Sequence, residues 1–355
     1  MNGALIGFGV IAMGHLAAYA TDPFMDIVAI VDPSSTRREA AQAAGLRTYS
    51  SYEECLRTEQ LDFIDICTPP TSHAEYMNRA MDDGLDVLCE KPVFLAGEPG
   101  FEDLINRIAR TSGTVYPIHN YKFAPVVRRM LEISKDPSFG EVVSAHFRTT
   151  RIGHARGAEG WYPDWRRDTR HSAGGILRDH GPHSLYMAEM LTGALPRSVS
   201  CLAGTLGSTA YGGTEDTALV RIKCDRAVEV LLDLTWAAKE RSTRYSLTGT
   251  GGSLSVENDR LTILGGGRAG TEDIPSDFDD PSHTSWFSRV LDDFRLTRAS
   301  EARRELLVEE ARRNALLIDA AYRSSANDGE WVDLPGLAPE DTPRPAPAAA
   351  GGERI

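Results

Sequence analysis

The chain has 355 residues, of which 41% are hydrophobic and 25% charged, a balance typical of a globular protein with two domains. Its formal charge of -13 argues against a nucleic-acid partner, because binding phosphates requires a basic surface. Five scattered cysteines without CxxC spacing argue against a disulfide framework or a zinc site and favour a reducing compartment.

The start of the chain has no basic stretch and no cleavage site typical of a signal peptide. Its apolar runs are too short to span a bilayer. We therefore expect a cytoplasmic protein without a membrane partner.

In the first third of the chain, short apolar runs alternate with helical patterns. The predicted strands are 3–8, 27–32, 62–67 and 85–89, and the predicted helices are 10–20, 36–44, 52–58, 72–83 and 99–112. This alternation predicts a doubly wound parallel sheet covered by helices on both faces.

The pattern changes after about residue 122. A helix at 124–134, a strand at 141–151 and a helix ending near Leu191 are followed by strands joined by short turns, predicted at 197–206, 216–223, 227–236, 243–248 and 253–256. These strands predict a mainly antiparallel sheet with one wet face. Helices are predicted at 283–297 and 301–325, and the proline- and alanine-rich residues 336–355 are predicted to form a flexible tail.

A glycine-rich turn lies between the first predicted strand and helix. Gly7-x-Gly9-x-x-Ala12 has the spacing of a dinucleotide fingerprint, in which the glycines let a pyrophosphate approach the helix N-terminus. Asp32 ends the next strand, where a carboxylate can accept hydrogen bonds from ribose hydroxyls and repel a 2′-phosphate. This favours NAD, although Arg37 and Arg38 follow closely and could reach the 2′-phosphate of NADP.

Two later strands end in residues that can carry chemistry. The segment Thr68-Pro69-Pro70 turns the chain at the ligand-binding edge of the sheet, and His73 after it is either a cofactor contact or a helix-start residue. Glu90-Lys91-Pro92 places a lysine at the same edge, where its charge can stabilise a developing alkoxide.

Asp179 and His183 are four residues apart and share a helix face. A proline between them, Pro182, predicts that the pair lies in the first helical turn or at an irregular helix start. His183 can accept an alcohol proton near neutral pH, and Asp179 can orient it or hold the substrate hydroxyl. Taken alone, the pair also fits a helix cap beside a buried histidine.

Together these motifs resemble the glucose-fructose oxidoreductase / inositol dehydrogenase / rhizopine catabolism (Gfo/Idh/MocA) family over roughly residues 3–335. The resemblance rests on the glycine fingerprint with His15, Thr68-Pro69-Pro70-x-x-His73, Glu90-Lys91-Pro92, Asn120-Tyr121-Lys122-Phe123-x-Pro125 and Gly174-Gly175-x-Leu177-x-Asp179-x-Gly181-x-His183. It implies a Rossmann domain at 1–122 and, at 123–335, a substrate-binding and oligomerisation domain with a large open sheet. A homodimer or homotetramer packed through that sheet is also implied.

The resemblance further implies an NAD(P)-dependent oxidoreductase that acts on a secondary alcohol or ketone of a sugar, inositol or related polyol and needs no metal. The catalytic residues would be Lys91, Asp179 and His183. The cofactor residues would be Gly7, Phe8, Gly9, Val10, Ile11, Asp32, Arg37, Thr68, Pro69, His73, Glu90, Lys91 and Asn120. The substrate residues would be Lys91, Tyr121, Trp161, Trp165, Arg170, Arg178, Asp179 and His183.

This chain departs from the family pattern in its arginines and aromatics. Arg178 precedes Asp179 where many members have small or aliphatic residues, and residues 161–171 are rich in arginine and aromatic side chains. Arginines suit a carboxylate or phosphate, and aromatic faces suit a sugar ring. We therefore hypothesise an anionic or nucleotide-linked polyol, while a loop packed against a neighbouring subunit is the alternative.

Two other functions remain open on the sequence. Some relatives retain NAD and use transient oxidation to drive glycoside hydrolysis or elimination. Others of the same fold are non-catalytic nucleotide-binding sensors, a class that loss of the lysine or histidine would favour; here Lys91 and His183 are both present.

Overall fold

The computed structural model describes residues 1–207, 209–211, 213–278 and 284–337. Two sheets organise this part of the chain, one built from its first third and one from residues after 141. The predicted tail lies outside the described residues except for its first two positions.

The first sheet has six parallel strands in the order β3-β2-β1-β4-β5-β6. Its strands are β1 Asn2–Ile6, β2 Asp26–Val31, β3 Arg47–Tyr49, β4 Phe63–Ile66, β5 Asp86–Cys89 and β6 Val115–Pro117. Its helices are α1 Val10–Tyr19, α2 Ser35–Ala43, α3 Tyr52–Thr58, α4 His73–Asp82 and α5 Phe101–Ile108. The strand order reverses between β1 and β4, which creates the crevice where sheets of this kind bind ligands.

The second sheet has nine strands in the order β14-β13-β12-β11-β7-β10-β9-β8-β15. They are β7 Val142–Thr150, β8 Pro196–Gly204, β9 Thr217–Cys224, β10 Glu229–Thr235, β11 Ser242–Gly249, β12 Gly252–Glu257, β13 Arg260–Gly265, β14 Arg268–Asp273 and β15 Val332–Asp333. Only the central pair β7 and β10 is parallel. The predicted mainly antiparallel sheet is therefore confirmed.

The remaining helices are α6 Pro125–Ser134, α7 Thr169–Ser172, α8 Ile176–Thr192, α9 Thr284–Arg298 and α10 Glu301–Ala326. The long helix α10 joins the two halves of the molecule. Its Ala311 and Ala315 pack in the core of the first sheet, whereas Leu317, Ile318 and Ala321 pack in the core of the second. The helix α10 therefore packs against both sheets and connects their hydrophobic cores.

The α/β fold class is confirmed, and the predicted helices and strands are present with small shifts at their ends. Sequence patterns missed five strands: β3, β6 and β15, which are short, β14, which is mainly polar, and β13, which alternates buried and exposed residues. The domain boundary near residue 122 stays a prediction. Within the described residues, no helix combines the length and apolarity needed to cross a membrane.

A buried ion pair fastens α10 to the segment after β6. Lys122 Nζ lies 2.5 and 2.7 Å from the two carboxylate oxygens of Glu310, and His119 Nδ1 lies 2.7 Å from Oε1. Burial alone would raise the pKa of Glu310, but Lys122 and His119 lower it from 4.5 to about 2. The ionised carboxylate therefore stabilises the fold.

We expect Glu310→Gln to remove stability of the order of 3 kcal/mol at neutral pH, because each unit of pKa shift corresponds to about 1.4 kcal/mol. A carboxylate whose pKa is lowered by folding contributes its full stabilisation at pH values above its pKa in the unfolded chain. That stabilisation is lost as the pH falls through its pKa in the folded protein. The difference in unfolding free energy between wild type and variant should thus shrink as the pH falls from about 4.5 towards 2. Urea unfolding at several pH values measures it, and a difference independent of pH would contradict this account.

Candidate active site

The glycine-rich turn forms one wall of an elongated groove. Gly7 has a φ of +91°, and a Cβ there would lie 3.0 Å from Thr68 Cγ2. A Cβ on Gly9 would point into open space, because no atom lies within 4 Å of it. The turn leads directly into α1, whose first N–H groups have no intrahelical partner. This end of the groove therefore has the free space and the amide donors that a pyrophosphate requires.

Asp32 lies at the end of β2 and is bonded to the same turn. Its Oδ2 accepts a hydrogen bond from the Phe8 N–H (2.8 Å), and its Oδ1 accepts one from the Ser34 N–H (2.8 Å). Arg37 lines the groove, donates to the Phe8 carbonyl at 2.7 Å and lies over the Phe8 ring. Arg38 instead donates to the carbonyls of Asp32 and Pro33.

A loop that follows β7 covers this groove, which has a volume of about 300 Å³. Gly157, Ala158 and Trp161 contribute to its lining, and Ser34 Oγ donates to the Gly160 carbonyl at 3.1 Å. The structure thus places Trp161, predicted to contact the substrate, on the cofactor groove. Of the predicted cofactor residues, those on this groove are Gly7, Phe8, Gly9, Val10, Ile11, Asp32, Arg37, Thr68 and Pro69.

A second cavity of about 210 Å³ adjoins the groove, and the two share Ile11, Cys67, Thr68, Trp165 and Arg166. It contains all three predicted catalytic residues, although they come from the end of β5 and from α8. The other predicted site residues on it are Glu90, Asn120, Tyr121, Trp165 and Arg178. The groove and cavity together could place a nicotinamide ring beside a substrate.

Lys91 is paired with Asp179 across this cavity. Its Nζ donates to the Asp179 carbonyl at 2.7 Å and lies 2.8 Å from Oδ1. Burial alone would raise the pKa of Asp179, but the charges of Lys91 and Arg166 hold it well below its usual value. Asp179 is therefore an anion that fixes the position of the lysine ammonium.

The expectation that Pro182 marks a helix start is wrong, because it lies inside α8, six residues after Ile176. Proline has no N–H, so the Arg178 carbonyl one turn earlier has no helical donor at that position. The neighbouring Asp179 carbonyl accepts a hydrogen bond from Lys91. The true helix start is held by Glu215, whose carboxylate accepts from the N–H groups of Gly175 and Leu177.

His183 lies on the same cavity, one helical turn after Asp179. Its Nδ1 is 2.7 Å from the Tyr186 hydroxyl, which accepts a hydrogen bond from the Tyr121 N–H. The Tyr121 ring also packs on the imidazole, with 4.1 Å between ring centroids. These contacts fix the orientation of the ring.

Two predicted site residues lie elsewhere. His73 was predicted to bind the cofactor, but it is buried and its nitrogens meet the carbonyls of Pro92 (3.0 Å) and Thr68 (2.8 Å), so it braces the two strand ends. Arg170 was predicted to bind the substrate, but its side chain is 77% exposed, pairs with Asp168 and lines neither cavity. The ion pair with Asp168 holds the Arg170 guanidinium at the protein surface, outside both cavities.

A buried network beneath Lys91 was missed by sequence reasoning. His15 Nδ1 lies 2.9 Å from Asp65 and its Nε2 lies 3.2 Å from Glu90, while Tyr19 donates to Asp65. Burial opposes protonation of His15, but Cys67 and Asp65 raise its pKa well above the usual value. The imidazolium thus neutralises the two acids. The Cys67 thiol also lies beside this network, 3.2 Å from His15 Nδ1.

Family models match most of the chain. A model described as an oxidoreductase family with an NAD-binding Rossmann fold matches residues 1–118, and one described as the GFO/IDH/MocA C-terminal domain matches residues 127–255. The first match contains the groove-forming turn and Lys91, and the second contains Asp179 and His183.

Curated relatives and solved structures are similar over much of the chain. D-apiose dehydrogenase of Paraburkholderia graminis is 28% identical over 74% of this chain and 69% of the relative. Inositol 2-dehydrogenase of Rhizobium meliloti is 26% identical over 72% of this chain and 75% of the relative. The structure of levoglucosan dehydrogenase in complex with NADH aligns with a TM-score of 0.79 at 20% identity, over 94% of this chain and 99% of that one, and shows the shared fold.

Proposed function

The chain belongs to the GFO/IDH/MocA oxidoreductase family, and from this premise we propose that it transfers a hydride between NAD and a secondary alcohol of a sugar, inositol or related polyol. The observation that carries the proposal is the convergence of Lys91, Asp179 and His183 on one cavity beside the dinucleotide groove. The curated relatives named as D-apiose and inositol dehydrogenases support the substrate class.

Each residue has a role that follows from its contacts. NAD held by the Gly7 turn and Asp32 supplies the hydride acceptor. Lys91, fixed by Asp179, donates a hydrogen bond to the substrate oxygen and stabilises its developing negative charge. We assign His183 as the group that takes the hydroxyl proton, because its imidazole lies on the cavity with Lys91 and Asp179.

The anionic part of the substrate hypothesis has support from the charges of the cavity. Arg151, Arg166, Arg178 and Arg241 line it, whereas its carboxylates, Glu90 and Asp179, are both paired. The nucleotide-linked part has less support. The cavity of about 210 Å³ is below the 300–1,000 Å³ usual for larger ligands, which favours a substrate of monosaccharide size.

We also propose a homodimer or homotetramer that packs through the second sheet. Its outer face carries exposed leucines on neighbouring strands: Leu202, Leu219 and Leu231. Light scattering with a Leu219→Lys variant tests this, because a charge in the interface should lower the measured mass.

Asp32→Ser is expected to weaken the preference for NAD. The substitution removes the carboxylate that we propose binds the ribose hydroxyls and repels a 2′-phosphate, while Arg37 stays on the groove. We expect kcat/KM with NAD to fall about 10- to 100-fold and the discrimination against NADP to fall with it. Steady-state kinetics with both cofactors measures this. An unchanged ratio would mean that Asp32 serves only to brace the turn.

The function itself is tested by identifying nucleotide released from the purified protein and then screening polyols with added NAD or NADP. Net reduction of nicotinamide by one polyol class supports the proposal. Turnover of a glycoside without added NAD and without net NADH would instead indicate transient redox chemistry, and bound nucleotide with no turnover would indicate a sensor.

A further inference from the structure

Several buried N–H groups on the catalytic cavity lack a hydrogen-bond partner. They are Nε and Nη1 of Arg178, Nε of Arg151 and Nε1 of Trp236. All of these groups are hydrogen-bond donors. Among the described residues that line this cavity, no buried acceptor atom lacks a hydrogen-bond partner. Because buried donors are normally bonded, the cavity is built to receive a group with several acceptor oxygens.

Arg178 is the most unusual member of this set. Its side chain is buried, with the residue only 7% exposed, and its guanidinium lies over the Tyr322 ring, 5.1 Å from the centroid. The acid at the same helix end, Glu215, already accepts from Gly175, Leu177 and the Tyr322 hydroxyl. A buried cation normally has a counter-charge, and no described carboxylate supplies one here.

We propose that Arg178 binds the carboxylate or phosphate of an anionic polyol substrate, with Arg151 and Trp236 as additional donors. This inference rests on the proposed function and names the class of its substrate as a sugar acid or sugar phosphate. Arg178 lines the same cavity as Lys91, Asp179 and His183, so an anionic group bound to it lies in the cavity that holds the reacting carbon. An arginine pairs well with either anion, since both accept two parallel N–H bonds.

The test compares charged and neutral ligands that otherwise match. Calorimetric titration of the NAD-loaded protein uses D-gluconate beside D-glucitol, D-galacturonate beside D-galactose, and D-glucose 6-phosphate beside D-glucose. We expect the wild type to bind an acid or a phosphate at least about 10-fold more tightly than its neutral counterpart. The pair that shows this preference identifies the anion as carboxylate or phosphate.

Arg178→Gln should lose the preference, and Arg178→Lys should retain part of it. Arg170→Gln is the matched control, because that arginine is exposed, paired with Asp168 and outside both cavities. Arg178→Gln should also unfold at the same temperature as wild type or higher, since it removes an unpaired buried charge. A wild type without charge preference, or an Arg178→Gln variant that keeps it, overturns the proposal.

These titrations separate failure of the anion site from failure of the proposed function, because they require no turnover. If the polyol screen yields no reduced nicotinamide but binding still depends on Arg178, the hydride-transfer proposal fails and the anion site stands. If polyols are oxidised but wild type and Arg178→Gln show the same ratio of affinities for charged and neutral ligands, the function stands and the anion site is refuted.

Discussion

Replacing Lys91 with alanine is expected to lower kcat about 1,000-fold, in the range of losses seen when a positioned proton donor or oxyanion donor is removed. The ammonium lies 2.8 Å from Asp179 Oδ1 and is held in a cavity that adjoins the dinucleotide groove. Without it, negative charge on the substrate oxygen loses the lysine donor, and Asp179 keeps only the longer contact with Arg166 at 3.5 Å. Steady-state and single-turnover kinetics measure the loss.

Lys122→Ala provides the matched control for this prediction. Lys122 is also a partly buried lysine in an ion pair, but its partner is Glu310 and it lies outside the catalytic cavity. We expect this variant to be less stable than wild type, with kcat changed less than a few-fold. A Lys91→Ala enzyme that keeps a tenth of the wild-type kcat would contradict the role assigned to Lys91.

His183→Asn is expected to lower kcat/KM for alcohol oxidation by 100- to 10,000-fold and to change its pH dependence. In the wild type, oxidation should slow at low pH, because a protonated imidazole cannot accept the hydroxyl proton. In the variant this decrease in rate at low pH should be absent. The expected sign is reversed for ketone reduction, which needs the protonated ring and should slow as the pH rises.

His180→Asn distinguishes the two histidines of this cavity. Burial lowers the pKa of His180 well below its usual value, although Asp179 opposes the shift, so its ring is neutral across the working range. We expect the His180→Asn variant to retain the decrease in oxidation rate at low pH, whatever its absolute rate. If the decrease in rate at low pH were lost in His180→Asn but retained in His183→Asn, the base would be His180 and the assignment of His183 would be wrong.

Sequence patterns predict the fold class well where local signals are strong. The buried apolar strands and the Gly7 turn, whose glycine adopts a positive φ, are visible in the sequence because backbone geometry demands those residue types. The strand β14 was missed because it lies at the sheet edge and carries mainly polar residues, and β13 beside it has only two buried apolar residues, Leu261 and Ile263. Their pairing depends on register with neighbouring strands, which a local pattern does not encode.

The candidate site shows the same division. Lys91, Asp179 and His183 were predicted from motifs, and they share one cavity. The position of Pro182 was misjudged because a proline usually marks a helix start, whereas this one lies inside α8, seventh in a 17-residue helix.

Arginine roles depended on partners that sequence spacing does not reveal. Arg170 and Arg178 looked equivalent as anion ligands, but Asp168 holds the first at the surface whereas the second is buried on the cavity without a counter-charge. His15 likewise stood out only as part of a motif. Its contacts with Asp65 and Glu90 depend on bringing together residues 50 and 75 positions away.

Transfer of deuterium tests the central claim most directly. A polyol found active in the screen is prepared with deuterium on the carbon that bears the reacting hydroxyl and incubated with the protein and NAD. Mass spectrometry of the nicotinamide product should find the deuterium in NADH, with the rate of transfer lowered at least about 100-fold in Lys91→Ala and His183→Asn. Deuterium that returns to the product or to water without net NADH would contradict a dehydrogenase built on these residues.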